Sequence, residues 1–258
     1  MKAAAFEYAR PDTASDAIAL LVGEAGARVL AGGQSLGPML NLRLARPRLL
    51  VQVSRLAELG GVDADDAAVT IGACVTHAAI DDGLVPDVGN GVLAHVAANI
   101  AYRAVRNRGT IGGSLCHADP AADWGTVLTA LDAVVLLQGP DGTRSLRVAD
   151  FIMGAFRTAL LPGEILRAIR IARLSGDARW GYEKACRKPG DFAHAMAAVL
   201  LDGNTRRVVI GALGSKPLRL EGDDASIDGA THALQALEPV QRHMQLAVLR
   251  RAFARVES

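Results

Sequence analysis

Two stretches of this chain set adjacent glycines beside polar side chains. The first is Ala31-Gly32-Gly33-Gln34-Ser35-Leu36, which follows a short apolar run. Two neighbouring residues without Cβ atoms let backbone N–H groups turn inward and approach an anion closely, and Gln34 and Ser35 add polar groups. If Leu36 starts a helical turn, as the apolar spacing over 38–44 suggests, its free N–H groups and positive dipole end point at the same spot. No lysine follows the glycines, so this is not a Walker loop; they fall at 32, 33 and 37, so it is not the GxGxxG dinucleotide turn. Alone, the pattern fits a phosphate cradle and a plain strand-to-helix turn equally well.

The second stretch, Arg106-Asn107-Arg108-Gly109-Thr110-Ile111-Gly112-Gly113-Ser114, again puts two glycines beside a hydroxyl residue. A structural turn needs no counterpart, whereas one diphosphate can be gripped from two sides. The pair therefore favours a dinucleotide-type ligand. Close behind, Cys116-His117-Ala118-Asp119 invites a metal or nucleophile reading, yet its spacing fits no usual zinc pattern and Gly112-Gly113-Ser114-Leu115-Cys116 is not a nucleophile elbow. His117 is expected to pack or hydrogen-bond, and His77 and His95 to be ordinary surface or core histidines. Asp119 and Asp123 also suit the start of a helix, where the dipole favours a carboxylate.

The elements that must position these residues follow from periodicity. Thr13 with Asp16 marks a helix start, and Ala14, Ala17, Ile18, Leu21 and Val22 share one face. Apolar runs at 28–31 and 49–53, joined through a helical turn, predict a parallel pair with the first glycine segment at the strand's C-terminal end. Phe6 to Pro11 reads as a lead-in. Strands at 61–63 and 68–73 flank a turn, Thr76 caps a short helix, and 87–101 and 121–131 read as helices. A hairpin spans 133–148 and another strand 164–171. After a linker at 174–177, strands at 180–186, 195–201 and 206–213 predict an antiparallel sheet, and Val240 to Val256 an amphipathic helix bearing Leu246, Leu249 and Phe253.

With 258 residues, half of them apolar, the chain can bury a substantial core. A net charge of +1 and few aromatics give no footprint for nucleic acid or an acidic membrane surface. Cys74, Cys116 and Cys186 are scattered and odd in number, which predicts reduced thiols in a cytoplasmic protein and leaves too few ligands for an iron–sulfur cluster. No apolar run is long enough to cross a bilayer, and Glu7 and Arg10 interrupt any signal-peptide core.

The strings Ala31-Gly32-Gly33-Gln34-Ser35-Leu36, Asn41-Leu42-Arg43-Leu44, Arg106 through Leu115, and His117-Ala118-Asp119-Pro120-Ala121-Ala122-Asp123 resemble the FAD-binding medium subunit of molybdenum hydroxylases. That group includes the carbon monoxide dehydrogenase and xanthine dehydrogenase flavoproteins. The resemblance implies a mixed α+β fold: a two-lobed PCMH-type FAD domain over 1–176, with lobes meeting near 54, and a C-terminal domain over 177–258 with a three-stranded antiparallel sheet and helices. It implies FAD lying between the lobes. Ala31, Gly32, Gly33, Gln34, Ser35 and Leu36 would hold one side, and Thr110, Ile111, Gly112, Gly113 and Ser114 the other. His117 would lie near the flavin, Asp119 and Asp123 by the cofactor's sugar region, and Leu166 at the adenine end. Tyr182-Glu183-Lys184 and Gly190-Asp191-Phe192-Ala193 resemble the segment facing the isoalloxazine ring, where Lys184 would favour the anionic reduced flavin and Phe192 would stack. Several relatives have tyrosine in place of Phe192, so a phenolic hydrogen bond does not carry over. The implied partners are an iron–sulfur small subunit and a molybdenum-cofactor large subunit, in a dimer of heterotrimers, with electrons passing through the clusters to FAD and on to an external acceptor. No catalytic side chain is implied. Two other readings stand beside this one: a free-standing FAD oxidase of the related fold, for whose substrate cap the C-terminal region leaves little room, and a non-catalytic assembly module, against which both intact glycine pairs argue.

Overall fold

A computed structural model describes residues 2–257. The chain opens with β1 (Glu7–Ala9), a strand inside the stretch expected to be a lead-in. It is followed by α1 (Ala14–Gly23), where the Thr13 hydroxyl oxygen accepts from the Asp16 N–H as the Thr/Asp spacing predicts. Ala14, Ala17 and Ile18 on that helix are buried. Next come β2 (Ala27–Leu30), α2 (Leu36–Asn41) and β3 (Leu49–Gln52). The three strands form a parallel sheet in the order β1-β3-β2, so the first glycine segment leaves the C-terminal end of an edge strand. Only three residues long and mostly exposed, β1 has too short a pattern to be read in advance.

The second lobe begins with α3 (Ala57–Gly60), β4 (Val62–Ala64) and β5 (Ala68–Gly72). Four helices follow, α4 (His77–Asp81), α5 (Val92–Ala98), α6 (Arg103–Arg106) and α7 (Ile111–His117), then α8 (Asp123–Ala130). The hairpin β6 (Val134–Gly139) and β7 (Gly142–Arg147) leads through α9 (Val148–Phe151) and a small ribbon, β8 (Ile152–Gly154) and β9 (Arg157–Thr158), to β10 (Ile165–Ala172). These strands make a five-stranded antiparallel sheet, β4-β5-β10-β6-β7, with β8 and β9 apart. One face packs Ile71, Leu137 and Ile169 against Trp124, Ile111 and Phe151, all fully buried. The helix expected over 87–101 is shorter: Gly89, Asn90 and Gly91 all have positive φ, so helical geometry begins only at Val92.

The last part holds β11 (Arg179–Ala185), β12 (Ala195–Asp202), β13 (Thr205–Gly211) and β14 (Leu218–Glu221), then α10 (Ile227–Ala233) and α11 (Pro239–Glu257). The expected three-stranded sheet gains a fourth strand, β14, in the order β11-β12-β13-β14. That strand pairs with β13, whose Arg207 donates to Glu221 at 2.9 Å, and its own Arg219 donates to Asp132 at 2.7 Å. Both faces of β12 are buried. Ala195, Ala197 and Val199 pack under α11 with Leu249 and Phe253, while Met196 and Ala198 join the Trp124 core. This is why Ala195–Leu201 is an unbroken apolar run rather than an alternating one. None of the described helices is long and apolar enough to cross a membrane.

Candidate functional site

The edge strand β2 delivers the chain into the first glycine segment and α2 takes it away. Gly33 has φ +71°, which a side chain would oppose, and the first turn of α2 closes with the Gly37 N–H donating to the Gly33 carbonyl at 2.8 Å. The Gln34 amide braces the loop by donating to the Gly32 carbonyl at 3.0 Å. The backbone N–H groups of Gly32, Gly33, Gln34 and Ser35 find no protein acceptor among the described residues. Four consecutive uncommitted donors in a half-buried loop make a nest for an anion.

The second glycine segment is built differently. Thr110 caps α7, its hydroxyl oxygen accepting from the Gly113 N–H at 3.1 Å, and its carbonyl takes the Ser114 N–H at 3.0 Å. Ile111 donates to the Val75 carbonyl at 3.1 Å and Gly112 to the Ala73 carbonyl at 3.0 Å. The amides of 111–114 are thus committed inside the protein, and the expectation of donors from both sides is narrowed here: over 106–114 only the Thr110 N–H finds no acceptor among the described residues. Gly112 is required by packing, since a Cβ there would stand 2.5 Å from the Ala73 Cβ. Gly113 faces the other way. A Cβ on it would come within 3.8 Å of the Ala31 side chain, across the gap between segments.

The two segments meet backbone on backbone. A Cβ on Gly32 would collide with the Arg108 carbonyl oxygen and stand 2.9 Å from the Gly109 Cα. The free amides of the first segment therefore lie beside the capped start of α7, with the half-buried Ser114.

Asp123 is the first residue of α8 and is buried. Its Oδ1 accepts from Lys184 Nζ at 2.8 Å and from the Tyr182 hydroxyl at 2.7 Å. Lys184 donates also to the Asn99 carbonyl at 3.0 Å. The two charged side chains are only 6 % and 8 % exposed, so this is an interior ion pair joining α8 to β11. Burial, then the neighbouring Asp123, push the Tyr182 hydroxyl well above its ordinary pKa, which keeps it a proton donor. The Lys184 charge is matched by Asp123. Any field it places on a bound ring is that of a pair rather than a lone cation.

The remaining expected residues divide. His117 ends α7 with its ring 5.2 Å from that of Phe156, and Asp119 accepts from the Ala121 N–H at 2.9 Å in a turn ahead of α8, which it does not cap: the N-cap of α8 is Ala122, with no side-chain bond. Leu166 is buried in the core on β10, at a register shift between Leu166 and Ala168. Phe192 is 60 % exposed on the loop after β11, where Ala101 donates to the Gly190 carbonyl at 3.0 Å and so ties that loop to the segment before α6. Sequence reasoning passed over Tyr182 as a partner of Asp123, and His77 and Trp124 as neighbours of the second glycine segment. The Trp124 indole donates to His77 Nδ1 at 3.2 Å. Nothing in spacing links residues that far apart in the chain.

Residues 4–173 match the family model described as the FAD binding domain in molybdopterin dehydrogenase. The chain is 36 % identical to the 6-hydroxypseudooxynicotine dehydrogenase complex subunit alpha of Paenarthrobacter nicotinovorans, over 93 % of this chain and 87 % of the relative. It is 35 % identical to the carbon monoxide dehydrogenase medium chain of Hydrogenophaga pseudoflava, over 90 % of this chain and 83 % of that one. The solved structure of carbon monoxide dehydrogenase from Hydrogenophaga pseudoflava lacking the Mo-pyranopterin moiety superposes with a TM-score of 0.91 at 31 % identity, covering 100 % of this chain and 99 % of that chain.

Proposed function

This chain belongs to the family of FAD binding domains of molybdopterin dehydrogenases, and from that premise we propose that the cleft between its glycine segments holds the FAD diphosphate. The protein is the FAD-binding medium subunit of a molybdenum hydroxylase, an oxidoreductase complex whose other members are an iron–sulfur small subunit and a molybdenum-cofactor large subunit. When bound, FAD supplies the redox chemistry, taking electrons from the clusters and passing them to an external acceptor.

The observation that carries the site is the run of free N–H groups at 32–35, within which Gly33 holds its left-handed turn. A diphosphate brings two negative charges and many acceptor oxygens. Charge-assisted bonds from backbone amides are each worth about 1.5–3 kcal/mol, which makes a cationic side chain unnecessary. In this reading the second wall contributes hydroxyls, Ser114 and Thr110, and the close approach allowed by Gly113. Asp123, fixed by Lys184 and Tyr182, accepts from hydroxyls further along the cofactor, and Phe192 stands exposed on the loop beside that pair. His117, Asp119 and Leu166 shape the surroundings.

We read the chain as an FAD domain over 1–176 and a smaller domain over 177–258. The family match ending at 173 and the start of the second sheet at Arg179 support that division. We place the protein in the cytoplasm, a reading supported by three free cysteines, two of whose thiols, Cys74 and Cys116, are pushed up to about 12 by burial. The test of the function is purification of the native complex. Flavin, iron and molybdenum should co-purify with this chain, and the flavin should bleach when a reductant is supplied through the partner subunits. A chain that purifies without any partner and oxidises a substrate itself would contradict it.

A further inference from the structure

Gly32 meets Arg108 and Gly109 backbone on backbone, and a histidine stands directly behind that contact. His77 opens α4, after Thr76, whose hydroxyl oxygen accepts from the Ala79 N–H at 3.1 Å. Its own N–H donates to the Gly109 carbonyl at 2.9 Å, and Ile111 returns a bond to the Val75 carbonyl at 3.1 Å. These two bonds clamp 75–77 to 109–111. The imidazole is buried and hydrogen-bonded to the fully buried Trp124. An indole N–H only donates, so Nδ1 carries no proton and the ring's hydrogen sits on Nε2. That ring edge rests on Gly109: a Cβ there would be 2.9 Å from Cδ2 and 3.1 Å from Nε2.

We propose that His77 is a positioning residue for the cofactor cleft: its ring, oriented by Trp124, holds Gly109 and so sets how closely Arg108 approaches Gly32. The chain of contact runs Trp124, His77, Gly109, Arg108, Gly32. Each link is backbone or a buried, hydrogen-bonded side chain. A displacement of the ring is therefore passed to the wall facing the free amides rather than absorbed. This rests on the reading that the cleft holds the FAD diphosphate.

A size exchange tests it in the full chain, with FAD affinity read from the visible flavin bands and the thermal midpoint of the apoprotein measured beside it. His77→Asn keeps an acceptor at the position of Nδ1 but withdraws the ring edge. Gly109→Ala, whose φ needs no glycine, pushes on that edge. Each single change should raise the FAD dissociation constant about tenfold or more, and the double change, in which the added methyl fills the space the ring vacated, should return it to within about threefold of the wild type. A merely structural histidine predicts something else: thermal midpoints move while FAD affinity stays at the wild-type value. That result overturns the inference, as does a double variant no better than the worse single. A wild-type chain that binds no FAD would instead sink the cleft reading itself, and the two failures are told apart by that control.

Discussion

At the scale of single residues, the interior carries two polar arrangements that respond differently to perturbation. The Asp123–Lys184 pair is nearly inaccessible, so removing one partner strands a charge without water. Asp123→Asn should cost about 3–5 kcal/mol, while Asp123→Asn with Lys184→Met should recover a large part of it. A double-mutant cycle by denaturant unfolding measures this, and additive losses would show that the pair is not coupled. His77 responds to acid. Burial first, and then Arg106, lower its pKa from 6.5 to about 4. Arg106, on α6, is itself paired at 3.1 Å with Asp81 of α4, the helix that His77 opens. The unfolded chain takes up this proton near pH 6.5 and the folded chain only near 4, so the unfolded state binds more protons in that window. Stability should be flat in this group above pH 6.5 and fall as pH drops toward 4, by on the order of 3 kcal/mol. Unfolding curves of His77→Asn between pH 7 and 4 should lack that component of the slope. The glycine pairs stood out in the sequence because their spacing is local, whereas Asp123 was singled out only through the resemblance. The roles of Tyr182 and Trp124 were not legible, since their partners lie on other elements and are brought near only by packing.

At the scale of elements, two threonine caps offer an internal comparison. Thr13 accepts from Asp16 at 3.1 Å at the start of α1, and Thr110 accepts from Gly113 at 3.1 Å at the start of α7. Replacing either with Ala should remove about 1 kcal/mol of stability. Only Thr110→Ala should also weaken FAD binding, because α7 forms a wall of the cleft and α1 does not. Equal effects of both on the flavin would mean that general destabilisation, and not the cleft, governs retention. Most elements were readable from period and punctuation: the Thr13 cap, the 133–148 hairpin, and the Leu246, Leu249 and Phe253 stripe of α11 are all where the pattern puts them. No helix was expected over the second glycine segment, yet α7 runs through it. Glycines argue against a helix interior by propensity, yet here Ala73 leaves no room for a side chain at Gly112 and the Thr110 cap supplies the start. The strand β14 escaped because four alternating residues carry too little pattern.

At the scale of the whole molecule, the sheet of the last part is not an appendage. Met196 and Ala198 enter the same core as Trp124, and Arg207 donates to the Ala130 carbonyl at 2.6 Å at the end of α8. Asp123 and Lys184 cross that same boundary. The proposed 177–258 domain should therefore unfold together with the FAD domain in a single transition, and added FAD should shift that transition as one unit by mass action. A separate early transition for the C-terminal part would contradict this. The proposed flavin site requires the same coupling, since its Lys184 and Phe192 lie beyond 173, where the family match ends.

The claim on which the rest depends is that free amides at 32–35 hold a pyrophosphate. The direct measurement is titration of the apoprotein with FAD for the wild type and for Gly33→Val, which forces a branched side chain into the left-handed region at φ +71°. Saturation at one flavin per wild-type chain, with no retained flavin in a variant whose circular dichroism is unchanged, is the predicted result. A folded Gly33→Val protein that still takes up one FAD with wild-type affinity would contradict it.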